Sequence, residues 1–254
     1  MQPHSKQPSQ KVFSGERKAR KFLIPRFQRR SFFIQFMLMT FLGWVVGGIA
    51  SIAIEKTIVE MLPRAVLQEK IWYTLAKYFS NTVFALIFGA DQALVLRRYL
   101  SGWLWMFATS LGWLVANGVS AQWINYIASI ASLNQISVEQ KVIFGFLSTI
   151  AYILSGIWLG FFQWLVLRRY TRRAWWWNFL PSISFLFISI LVWLLSFVQE
   201  FIPEANRDQI VYLSEQGLTA VVLGVIPAIG LCSLKTNLRY ITGTSTSSDR
   251  SPAP

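Results

Sequence analysis

Asp91 and Gln92 stand side by side in an apolar run, just before the pair Arg97-Arg98. A second glutamine, Gln163, precedes Arg168-Arg169 by the same five residues. A carboxylate inside hydrocarbon is costly and marks a functional site by default. Asp91 could couple a proton or cation, or it could pair with an arginine from another junction. A glutamine amide in that setting must find a partner, and such an interhelical bond contributes roughly 0.6–2 kcal/mol. Gln92 and Gln163 therefore read as glue between helices, with a polar ring around a solute path as the alternative. The arginine pairs can orient the chain, and they can also contact anionic lipid headgroups at about 1 kcal/mol per charge.

Little else offers chemistry. His4 is the only histidine and lies in a polar tail, and Cys232 is the only cysteine. A Ser-His or Cys-His pair, a histidine zinc site and an internal disulfide are not expected. No cofactor and no catalytic residue is expected either. The net charge of +13 would suit nucleic acid, but the basic residues sit in short clusters beside apolar runs. That is the pattern of cytoplasmic membrane loops.

The elements that position these residues are apolar helices. Of the 254 residues 54% are hydrophobic and 14% charged, with a mean hydropathy of +0.44. A soluble domain carries about 25% charged residues. Several runs reach the ~20 residues that cross a bilayer. The expected spans are 33–54, 72–96, 103–125, 142–166, 174–199 and 210–233. Lys77 and Asp91 interrupt the second.

The spans repeat. Gln92-Ala-Leu-Val-Leu-Arg-Arg-Tyr99 returns as Gln163-Trp-Leu-Val-Leu-Arg-Arg-Tyr170, and Thr40-Phe-Leu-Gly-Trp-Val45 as Thr109-Ser-Leu-Gly-Trp-Leu114. Before each Gln lies a pair of small residues, Ala85 and Gly89, then Gly156 and Gly160; Gly224 and Ala228 form a degenerate third. Such pairs let helix backbones approach closely. The expected fold is all-α and polytopic: six transmembrane helices as three tandem hairpins, near 31–99, 100–170 and 171–240. The third lacks the Gln, offers Leu231 in its place with Ser233 nearby, and carries Pro181 and Pro227, which could kink it. Residues 1–30 form a basic cytoplasmic tail and 241–254 a Ser/Thr/Pro-rich one, both expected to be disordered.

Eighteen of the 24 basic residues fall in the tails and at the Arg junctions, which puts both termini in the cytoplasm. Trp103, Trp105 and Trp175 to Trp177 follow the Arg junctions, while Trp72 and Trp123 lie near the opposite ends. Indole prefers the headgroup boundary, so all read as interfacial anchors. A pigment or sterol held between the rings is the sharper alternative. Lys77 and Glu215 lie near outer ends, within reach of water.

The Gln-x-Leu-Val-Leu-Arg-Arg-Tyr and Leu-Gly-Trp copies resemble those of a loose group of uncharacterised bacterial multi-pass membrane proteins. That group is frequent in photosynthetic bacteria and carries a repeated Gln-Trp-Leu-Val-Leu-Arg-Arg signature. Gln163 to Arg169 match it outright, and Gln92 to Arg98 depart only at Ala93. The resemblance covers roughly 85–241, with an echo in 40–48, and Asp91 and the third unit depart from it. It implies a membrane fold and a bacterial inner membrane, with a photosynthetic membrane as a candidate, and it brings no activity. The expected function is a non-enzymatic membrane protein that packs with, or helps assemble, other membrane proteins and contacts anionic lipids. The alternative is a transporter or channel for a small solute, ion or lipid, built on Asp91, Gln92 and Gln163.

Overall fold

A computed structural model describes residues 22–61, 70–133 and 137–236. Most of the basic N-terminal tail and the C-terminal tail from 237 on, with Arg239 and Arg250, lie outside the described residues, as does Arg64. Six long helices dominate: α1 (Arg29–Met61), α2 (Lys70–Leu96), α3 (Gly102–Leu133), α4 (Val138–Tyr170), α5 (Leu180–Val198) and α6 (Arg207–Ser233). Five stretches are long and apolar enough to cross a membrane: Arg26–Met61, Thr74–Leu96, Val142–Tyr170, Ala174–Phe201 and Glu204–Ser233. The exception is α3. It carries no charged residue, but its tryptophans, Asn117, Gln122 and Asn125 lower its mean hydropathy.

Each helix packs on the next in sequence, and α6 also packs on α1, so the six close a ring. Inside the ring are two stacked aromatic layers. One, near the Arg pairs, contains Phe32, Phe36, Trp105 and Trp177. The other contains Phe84, Phe88, Trp113 and Phe185. Trp44 stands edge-on to Phe84, Phe88 and Trp113, with ring centres 5.1–5.8 Å apart. The outward surface is apolar instead: Leu38, Leu42, Val46, Ile49, Phe187, Trp193 and Val221 are all exposed. Hydrocarbon rather than water is the solvent such a surface suits. Several hydroxyls within the spans bond their own helix, as Ser148 does to the Phe144 carbonyl and Ser189 to that of Phe185. Backbone and side-chain polar groups must be satisfied internally in lipid.

Five helices outrun the apolar spans, whereas α5, Leu180–Val198, falls inside the expected 174–199. α1 starts four residues before the expected span and ends seven after it, and α3 continues to Leu133. Hydropathy marks where a helix leaves hydrocarbon, not where it stops. Pro181 does not kink a span; it occupies the first turn of α5, where its missing N–H has no intrahelical acceptor to lose. A 3-10 segment, Ala174–Phe179, precedes it. Pro227 does lie inside α6. The tail expected to run to residue 30 joins the folded body earlier, since Leu23 and Ile24 are buried. There Thr171–Arg172 (β1) pairs antiparallel with Lys235–Thr236 (β2), and Phe22 bridges to Lys235.

Candidate functional site

Both glutamines are buried and hydrogen-bonded to an indole from the segment that follows. Gln92 Oε1 accepts from Trp105 Nε1 at 3.2 Å, and Gln163 Oε1 accepts from Trp177 Nε1 at 3.0 Å. Gln163 Nε2 also donates to Thr109 Oγ1 at 3.2 Å. Trp105 and Trp177 are fully buried, so they are not interfacial anchors as expected. An indole can sit in a dry core when its N–H finds an acceptor, and the glutamines supply it. Trp103, Trp175, Trp72 and Trp123 are exposed, where an interfacial role remains open to them. The sequence signal for the buried pair was the recurring interval of 13 and 14 residues between Gln and Trp.

The junction that closes the ring, between the last helix and the first, lacks this arrangement in every part. The residue 69 before Trp105 is Phe36, the residue 68 after Gln163 is Leu231, and the residue 72 after Thr109 is Pro181. Phe36 and Leu231 are fully buried in the same core cluster. Indole donor, amide and hydroxyl are absent together, so none of them is left stranded there. In the first unit Thr40, the match of Thr109, keeps a buried hydroxyl without a partner.

The tyrosines that end the two motifs tie each helix pair back to its start. Tyr99 donates to Gln28 Oε1 at 3.0 Å, and the Tyr170 hydroxyl accepts from the Ser101 N–H at 3.2 Å. Burial pushes the Tyr99 phenol above its ordinary pKa; the nearby Arg98 charge opposes that shift. Arg97, Arg98, Arg168 and Arg169 are exposed, and Arg168 lies over the Trp164 ring.

The small residues stand where the backbones approach most closely. A Cβ on Gly89 would lie 2.8 Å from the Met106 carbonyl of α3, and one on Gly156 would lie 2.7 Å from the Ser182 nitrogen of α5. One on Gly160 would overlap the Asn178 carbonyl, and one on Gly224 would crowd Met37 of α1. Ala85 and Ala228 are fully buried, and Ser110 of α3 donates to the Ala85 carbonyl.

Asp91 sits apart from the glutamine bonds. It is half-buried against α1, where a Cβ on Gly43 would come within 2.8 Å of Oδ2. Its match in the second copy is Phe162. Among the described residues the one ion pair is Lys56 with Glu60, and no three His, Cys, Asp or Glu side chains converge as metal ligands.

Sequence reasoning did not anticipate an apolar groove of about 620 Å³ between α3 and α4, at the end away from the Arg pairs. Val119, Trp123, Ile127, Leu147, Ala151, Leu154, Ser155 and Trp158 line it. Trp123, Leu147, Leu154 and Trp158 are exposed, so the groove opens sideways. Comparison with protein-family models, with curated proteins and with solved structures finds no match for this chain.

Proposed function

We propose that this is a non-enzymatic integral membrane protein that packs with, or helps assemble, other membrane proteins. It would cross the bilayer six times as three tandem hairpins, α1–α2, α3–α4 and α5–α6, with α3 as the sixth span. The uncharged length of α3 between two apolar neighbours supports that count. The positive-inside bias supports both termini in the cytoplasm.

The observation that carries the reading is the α3–α4 groove. Its α4 wall runs from Phe144 to Trp158, about 21 Å of helix. Ala151 and Ser155 lie one turn apart along it, the small-residue spacing that admits a second helix backbone. The occupant we assign is an apolar transmembrane helix of a partner protein. Replacing Ala151 with Phe is expected to abolish co-purification of that partner in mild detergent, with the melting temperature within a few degrees of wild type. Undiminished co-purification would remove the groove from the account.

Transport is a second reading, and Asp91 is the observation that favours it. A half-buried intramembrane carboxylate without an ion pair among the described residues suits coupling to a cation. The glutamines speak against a polar path, because their carbonyl oxygens already accept from indoles. Proteoliposomes holding the wild-type chain are expected to show no proton or cation flux above those holding Asp91→Asn. A flux that depends on Asp91 would establish transport instead.

A further inference from the structure

A second cavity, of about 840 Å³, lies at the Arg-bearing end of the ring. Three separate stretches of chain build it. Phe22 and Arg26 come from the segment before α1, Arg172, Arg173, Trp175 and Trp176 from the connection between α4 and α5, and Ser233 to Thr236 from the end of α6. Backbone pairing holds them together: β1 with β2, the Phe22–Lys235 bridge, and the Leu23 N–H on the Leu234 carbonyl at 2.9 Å. Arg26, Arg172, Arg173 and Lys235 all face this space, and no lining residue is acidic.

The arrangement concentrates like charge at one place. Arg172 and Lys235 are direct partners in the antiparallel register, and like charges placed opposite each other destabilise a strand pair. Arg173 is the only described non-glycine residue with positive φ, at φ 57 and ψ 38. A long side chain rarely adopts that left-handed conformation, and strain of this kind clusters at ligand sites. Arg26, on the pocket wall, lies over the Phe22 ring with its guanidinium 5.6 Å from the ring centre. Charge and backbone strain coincide at this one place.

We infer that this pocket binds a phosphate-bearing anion, with Arg172, Arg173 and Lys235 around the phosphate and Trp175 and Trp176 against its apolar part. Arginine suits phosphate because its planar fork gives two parallel charge-assisted bonds. The volume exceeds what a lone phosphate fills, which suits a glycerophosphate headgroup. The exposed Trp175 ring would lie at the boundary such a headgroup occupies.

The full chain, purified in detergent at 150 mM salt, would be titrated in native mass spectrometry with phosphatidylglycerol, with phosphatidylcholine and with inorganic phosphate. Wild type is expected to retain one phosphatidylglycerol at least tenfold more tightly than phosphatidylcholine. The combined variant Arg172→Gln, Arg173→Gln, Lys235→Gln is expected to lose that preference. Lys56→Gln, outside this pocket, should keep it. Unchanged melting temperatures would show that the variants fold, and if the combined variant does not, Arg173→Gln alone carries the comparison. Tight binding of inorganic phosphate that the same variants abolish would support the site with a soluble phosphate as its source. Equal retention of phosphatidylglycerol by wild type and the variants, or no preference in wild type, would overturn the proposal.

Discussion

Gly160→Val is expected to leave little or no folded protein, and Gly156→Val to do nearly as much harm. Overpacking a core costs about 1–3 kcal/mol where a side chain can move aside. At Gly160 the obstacle is backbone, the Asn178 carbonyl, and at Gly156 it is the Ser182 nitrogen. Neither can rotate away, so the helix pair must separate and the cost should exceed about 3 kcal/mol. Gly48 and Gly118 provide the comparison, since a Cβ on either would meet nothing within 4 Å. Gly48→Ala and Gly118→Ala should melt within a few degrees of wild type in the same detergent. If Gly160→Val melted like these, the close approach of α4 to the start of α5 would be wrong.

Gln163→Leu should have the second largest effect, and its interest lies in how it can be reversed. The substitution leaves the Trp177 N–H and the Thr109 hydroxyl without their partner. An unmade bond at a buried group costs about 1–3 kcal/mol, and interhelical bonds in membranes fall at or below the lower end of that range. Thr109 can turn back to its own helix carbonyl four residues earlier, so the indole bears most of the loss, about 1 kcal/mol. Adding Trp177→Phe removes the stranded donor. The pair Gln163→Leu, Trp177→Phe should therefore be more stable than the sum of the single changes allows, by about 1 kcal/mol in a double-mutant cycle. The chain already holds such a site, where Leu231 and Phe36 stand at the matching positions. Additivity within error in detergent unfolding would mean that the Gln–Trp bond contributes nothing.

Much of the fold was legible because membrane helices announce themselves by composition. The apolar runs located all six helices, and the small residues before each motif marked where neighbours approach. What stayed hidden was direction. Nothing in the sequence around Trp105 says that its ring faces inward and that of Trp103 outward. Both environments suit an indole, and only the distant Gln92 decides between them. The proline at 181 misled for a similar reason: a helix start and a kink look alike until the preceding 3-10 turn is seen. The basic pocket was scattered over three stretches of chain more than 200 residues apart at the extremes. The arginines read as topology signals, which are silent about convergence. Phe22-Leu23-Ile24, an apolar triplet in a basic tail, was the one local hint that this tail returns to the body.

The central claim is that the protein acts through its membrane-facing surface, at the α3–α4 groove, and not through a polar path. A photo-crosslinking residue placed at Leu154 in living cells tests this most directly. Leu154 lines the groove and is 53% exposed; Ile49, on α1 and 65% exposed, is the control. The account expects one discrete protein adduct from position 154, absent in the Ala151→Phe background, and none from position 49. Lipid adducts alone at both positions, or the same protein adduct from each, would contradict it.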